Sequence, residues 1–293
     1  MHQFSKSDKI VTIILVLYFA ISLQMNQMIH PSTGFALIPS VGSAYDTANF
    51  VSMIEDFHLS AYPPVFLIMS YVISNIYGFN YTIGVQLAGL LTSLILIPLS
   101  LYYLTKFYTK KDSIAFLTAV FYLIMGVPNL YTYYGIYSQA LATVFLFVML
   151  VKHWQGKDFQ ALVLLFIIAM TQRNVFYYAM IAMIIYKAAQ WGGKEGKSVV
   201  LKLKQYFPNP ILKIALVLNV IILTSWYNVL WVFLVPLAIP TILKAKVDYL
   251  FWIMIIAAAG VLVDGRSFLP TITLQVIYLA QLVWGSDKYE RTG

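Results

Sequence analysis

The sequence predicts an all-α protein, a polytopic membrane helical bundle of about ten transmembrane helices with juxtamembrane helices in the first outer loop. Three observations carry that expectation. Hydrophobic residues make up 61% of the 293-residue chain and charged residues only 10%, against roughly 25% charged in a soluble domain. Apolar runs recur from end to end, which makes 1–293 a single integral membrane domain. The lysines flank those runs and form no basic tract with interleaved polar residues, so the net charge of +8 reads as a topology signal and not as a nucleic-acid surface.

The first run, 10–28, follows Lys6 and Lys9 and lacks a small-residue cleavage site, so it reads as an uncleaved helix. Residues 29–80 make the first extracytoplasmic loop. Within it Phe50, Met53, Ile54 and Phe57 recur at helical spacing, the mark of an amphipathic helix on the outer leaflet. Asp46, in GSAYDTANF, stands where it could cap that helix or act as a general base. The run 62–77 opens Tyr62-Pro63-Pro64, contains Ser70, Tyr71, Ser74 and Asn75, and falls short of the roughly 20 residues of a comfortable span. Further runs follow at 81–105, 113–127, 134–151, 159–172, 174–190, 211–227, 229–243, 247–262 and 268–284, with Pro236 and Pro240 interrupting 229–243. The stretch 191–210 is the longest cytoplasmic loop, its lysines a topology signal and a contact for anionic lipid.

Lysine and arginine decide the orientation, because short cytoplasmic loops are enriched in them. With 62–77 as an interfacial or re-entrant helix and both termini inside, 17 of the 19 cations face the cytoplasm and only Arg173 and Arg266 face out. Were 62–77 to span, the later loops would swap sides and most lysines would face out. The chain has no cysteine, which excludes disulfides, Cys-ligated zinc and iron–sulfur clusters.

The outer face then collects a short set of polar groups. The first loop holds His30, Asp46, Glu55, Asp56 and His58 and no Lys or Arg. Later turns add Asn129, Tyr131, Tyr133, Tyr134 and Tyr137, then Thr171, Gln172, Arg173 and Asn174, then Asp264 and Arg266. A guanidinium offers a planar fork of donors matched to phosphate oxygens, and an arginine at the outer end of a helix runs against the bias of the other cations. Arg173 and Arg266 are therefore candidate phosphate ligands, with snorkelling or a salt bridge, of Arg173 to a first-loop acid or of Arg266 to Asp264, as the plain alternative. Glu55, Asp56, His58, Tyr133, Tyr134 and Tyr137 are candidate contacts for an acceptor or sugar, or else a solvated face and an aromatic belt. One histidine among scattered acids makes no metal site, although Glu55 and Asp56 leave a divalent cation open.

In its order of parts the chain resembles the GT-C glycosyltransferases, multi-pass enzymes that use polyprenyl-phosphate-linked sugars. The likeness runs through SAYDTANF after the first helix, YPPVFLIMSYVISNIYG, the basic turn LTKFYTKKD and the outer turn PNLYTYYGIYSQALA. It covers about residues 1–190 well and the rest loosely. The resemblance implies transfer of a sugar from a polyprenyl-phosphate donor to a glycan, lipid or protein acceptor, at the outer face of the plasma membrane and commonly with inversion. It implies Asp46 as the catalytic acid-base residue and Arg266 as the late outer arginine that holds the donor phosphate, with no cofactor required. Thr47 stands where a second acid is usual in such loops. A transporter or flippase of lipid-linked saccharides, a polymerase of them, and a non-catalytic GT-C-like protein are the competing readings.

Overall fold

The computed structural model describes residues 6–29, 41–55, 64–78, 80–124, 136–191, 248–260, 273–278 and 280–281. Every regular element among them is helical, and no strand occurs among the described residues. The all-α class is thus observed. Contacts divide the chain into two compact units, Met1–Val175 and Phe176–Gly293.

The first unit is built around one long helix. α4 (Tyr81–Leu91) and α5 (Ile97–Thr109) are joined by a wider π turn over Thr92–Leu96. Together they make the 29-residue stretch Tyr81–Thr109, the one helix among the described residues that is long and apolar enough to cross a membrane by length and composition. Asn80 caps its start, the side-chain oxygen accepting the Ile83 N–H at 2.8 Å. Lys110, at φ 57°, ends it by closing its N–H onto the Lys106 carbonyl. The π turn has a local cause. Pro98 has no N–H to donate and its ring crowds the preceding turn, so the Ile97 N–H reaches one residue further back, to the Thr92 carbonyl.

Around this axis pack α1 (Lys6–Ile29), α6 (Asp112–Ile124) and α7 (Tyr137–Trp154), with α8 (Asp158–Ala169) laid along α7 after a tight turn at Gly156, where φ is +70°. Two contacts set the height of this layer. At one end Tyr137 lies against Gly89, where a Cβ would run into its ring. At the other, Trp154 stacks on Phe107 (centroids 6.2 Å apart, planes at 4°) and on Tyr108 (5.3 Å). Gly89 to Phe107, and Tyr137 to Trp154, each cover about 26 Å of helix at 1.5 Å per residue. That is close to the roughly 30 Å of a bilayer's hydrocarbon.

α2 (Val41–Glu55) and α3 (Pro64–Tyr77) belong to the Tyr137 end. The Val65 N–H donates to the Met170 carbonyl at 3.2 Å and the Phe66 ring lies 5.8 Å from that of Tyr137, while Ser74 packs on Gly84. α3 therefore starts at the level of Tyr137 and runs antiparallel to the first turns of α4, away from the opposite end. It lies outside the layer between Tyr137 and Trp154. Gly84 permits the close approach, since a Cβ there would collide with the Ser74 hydroxyl. The buried hydroxyls of Ser70 and Ser74 turn back to the Phe66 and Ser70 carbonyls, both at 3.0 Å, so the seam holds no orphaned donor.

In the second unit, α9 (Arg173–Trp191, its first turn belonging to the first unit) pairs with α10 (Tyr249–Gly260). Tyr249 stacks on Tyr186 at 5.9 Å and donates to the Ala179 carbonyl at 2.8 Å, while Gly260 lies under the Tyr178 ring. The two helices are antiparallel. Residues 273–278 are also helical and buried. The expected runs 211–227 and 229–243 and the loop 191–210 lie outside the described residues, apart from Trp191.

The structure corrects one local expectation. α2 begins at Val41, so Asp46 is a helix-interior residue and not the N-cap of the amphipathic helix. The small residues of VGSAYD continue the same helix upstream.

Candidate functional site

The two ends of the first unit differ in charge. Lys9, Lys106, Lys110, Lys111, Lys152 and Lys157 all stand at the Trp154 end. The Tyr137 end carries Arg173 and Glu55. The candidate site is the Tyr137 end, because the helices that bear the sequence-predicted polar groups meet there.

α2 reaches this end through an apolar stripe. Phe50 and Ile54, one turn apart, are buried, whereas Ala48, Asn49, Ser52 and Glu55 are exposed. Phe50 contacts Phe66 (5.1 Å) and Tyr137 (6.4 Å), closing a three-ring cluster with Val85, Ala88 and Leu141. Position 46 falls one turn before Phe50 in the register of α2. Pro64 opens α3, where the missing N–H costs nothing, and the next donor, Val65, is satisfied by the carbonyl of Met170, the residue that caps α8. The turn after α8 is closed by the Thr171 N–H on the Ile168 carbonyl (3.0 Å) and the Thr171 hydroxyl on the Ile167 carbonyl (2.7 Å). Arg173 follows at once as the first residue of α9, exposed and without an ion pair among the described residues.

That placement is electrostatically unusual. A helix N-terminus carries about half a positive charge, so a cation in the first turn is disfavoured there. Arg173 adds a guanidinium to an already positive end. The pair constitutes a local cationic site that an anion would relieve.

The sequence-predicted residues divide as follows. Asp46, Glu55, Tyr137 and Arg173 all belong to elements that meet at this end. Glu55 is the exposed last residue of α2. Tyr137 is fully buried among Phe50, Phe66 and Gly89, and its ring holds α2, α3, α4 and α7 together. Asp56, His58, Tyr133, Tyr134 and Arg266 lie outside the described residues. No group of three His, Asp or Glu side chains able to hold a metal occurs among the described residues.

Two polar features escaped the sequence reading. Gln139, on α7 two residues after Tyr137, is 1% exposed and its Nε2 has no hydrogen-bond partner among the described residues. At the opposite end Asp8 is buried, and its Oδ1 accepts from Lys106 Nζ (2.8 Å) and from the Tyr102 hydroxyl (3.0 Å). Lys106 also reaches Asp112 at 3.3 Å, so the network ties α1, α5 and α6. An acid in the first turn of an apolar helix is the signal that could have found it.

No family model, no curated protein and no solved structure matches the chain.

Proposed function

We propose that the chain is a multi-pass membrane glycosyltransferase of the GT-C type, which moves a sugar from a polyprenyl-phosphate donor to an acceptor hydroxyl on the extracytoplasmic face. One observation carries the reading: α2, which bears Asp46, and the turn that bears Arg173 converge at the end of the first unit opposite its lysines. Under the positive-inside rule the lysine end faces the cytoplasm and the Tyr137 end faces out. Both termini are then cytoplasmic in a bundle of about ten spans in the plasma membrane.

The chemistry follows from the two groups. Asp46 takes the proton of the acceptor hydroxyl, or orients it, as the oxygen attacks the anomeric carbon. The bond from that carbon to the lipid phosphate breaks, and charge grows on the leaving phosphate. Arg173, with the positive end of α9 behind it, stabilises that charge. Arg266, in VDGRSFLP, is assigned as a second phosphate ligand on the strength of the resemblance. The bilayer accommodates the polyprenyl chain.

The test is Asp46→Asn, assayed in membranes for transfer from a polyprenyl-phosphate sugar. Transfer falls by about a hundred- to ten-thousand-fold if Asp46 is the base. Unchanged transfer by a well-folded variant removes Asp46 from the mechanism.

A further inference from the structure

Five lysines at the Trp154 end of the first unit have no carboxylate partner among the described residues: Lys9, Lys110, Lys111, Lys152 and Lys157. The acids of that end are already committed, Asp8 and Asp112 to Lys106, and Asp158 to His153 Nδ1 at 3.2 Å. Lysines without a carboxylate are ordinary, and it is the surroundings of these that set them apart.

Two features of the surroundings point the same way. Lys110, Lys111, Lys152 and Lys157 lie within a few residues of an aromatic cluster in which Phe107 and Tyr108 stack on Trp154, and the Lys110 ammonium is 3.9 Å from the Phe107 ring centroid. Immediately beyond them the surface turns apolar on three separate helices. Ile10 (46% exposed) follows Lys9 on α1, Phe159 (79%) follows Lys157 and Asp158 on α8, and Phe116 (38%) lies one turn past Asp112 on α6. Charge, then stacked aromatic rings, then exposed apolar surface on several helices is the layering of a lipid leaflet. A folded protein or a nucleic acid offers no such layering.

We infer that this cationic collar binds the phosphate headgroups of anionic phospholipid in the leaflet it faces, with the Trp154 cluster seated beneath the headgroups. The inference rests on the membrane reading above but not on glycosyl transfer. Each lysine near an anionic surface strengthens binding about five-fold.

The chain, purified in a neutral maltoside detergent, is titrated with dioctanoyl phosphatidylglycerol or dioctanoyl phosphatidylcholine, and bound lipid is read by native mass spectrometry. The glycerol lipid binds at least about ten-fold tighter than the choline lipid, and glycerol phosphate does not displace it. The triple variant Lys110→Gln/Lys152→Gln/Lys157→Gln loses about a hundred-fold in affinity, while the same positions changed to Arg retain it. Equal binding of the two lipids, displacement by glycerol phosphate, or equal loss in the Gln and Arg variants overturns the collar and leaves the membrane reading standing. A chain that stays dissolved in aqueous buffer without detergent overturns both.

Discussion

The Tyr122 hydroxyl donates to the main-chain carbonyl of Ser93 at 3.0 Å, and the bond answers a need created five residues further along the central helix. In a regular helix the Ser93 carbonyl would accept the Ile97 N–H. The π turn diverts that N–H to Thr92, and in the wider register the next donor would come from Pro98, which has none. The side chain of α6 thus satisfies a buried acceptor that the proline leaves open. Removing the hydroxyl in Tyr122→Phe costs about 1–3 kcal/mol, the usual penalty for a buried polar group without a partner. Pro98→Ala restores the missing N–H. In a double-mutant cycle read by thermal unfolding in detergent, the Tyr122→Phe penalty shrinks by about 1 kcal/mol on the Pro98→Ala background. Strict additivity would contradict this assignment.

The α3–α4 seam makes a second prediction. Gly84→Ala drives a methyl group into the Ser74 hydroxyl and destabilises the chain by about 1–3 kcal/mol, as overpacking does. Ser74→Ala removes the obstructing oxygen and recovers part of the loss. Gly89→Ala meets the ring carbons of Tyr137 and has no such single-residue rescue. Unfolding temperatures of Gly84→Ala, Gly84→Ala/Ser74→Ala and Gly89→Ala distinguish the two glycines.

Asp8→Asn leaves the partly buried Lys106 ammonium with Asp112 as its remaining carboxylate and costs about 2 kcal/mol. Adding Lys106→Met removes the stranded charge. The double variant is therefore more stable than Asp8→Asn alone by about 1 kcal/mol. If the double variant is the less stable, the Asp8–Lys106 pair is not what holds α1 to α5.

Under the proposed glycosyltransferase function, Arg173→Gln raises the KM for the polyprenyl-phosphate donor and lowers kcat/KM by about ten- to a hundred-fold, the loss expected for a charge-assisted phosphate contact. Arg173→Lys keeps the charge without the planar fork and recovers part of the activity. Steady-state transfer kinetics at varied donor concentration check both. An unchanged KM for both variants removes Arg173 from the donor site.

Most of the helices were legible in the sequence because long apolar runs between polar punctuation leave little choice. The runs 10–28, 62–77, 159–172, 174–190 and 247–262 each match an observed helix to within a few residues. The departures have physical causes. Amphipathic helices end on side-chain polarity, so the apolar run 81–105 gave no hint that Lys106, Tyr108 and Thr109 continue α5. The sequence reading passed over Pro98, and whether a kink, a break or a π turn absorbs it depends on Tyr122, whose hydroxyl bridges 29 positions in sequence. Asp8 and Lys106 are 98 positions apart, and no spacing rule connects them. At the candidate site the sequence named Arg173 by its conflict with the other cations. It read Tyr137 as an interfacial aromatic or a sugar contact, because the packing of Phe50 and Phe66 around that ring is a tertiary fact.

The most direct test is which side of a membrane each end of the first unit faces. The chain has no cysteine, so single cysteines can be placed at Asn75 on α3, at Gln172 before α9, and at Gln155 beside the lysines. Intact cells are then treated with a membrane-impermeant maleimide. The account predicts labelling of Asn75→Cys and Gln172→Cys from outside, and of Gln155→Cys only after the membrane is permeabilised. Labelling of Gln155→Cys from outside, or protection of Asn75→Cys while Gln172→Cys reacts, would contradict it.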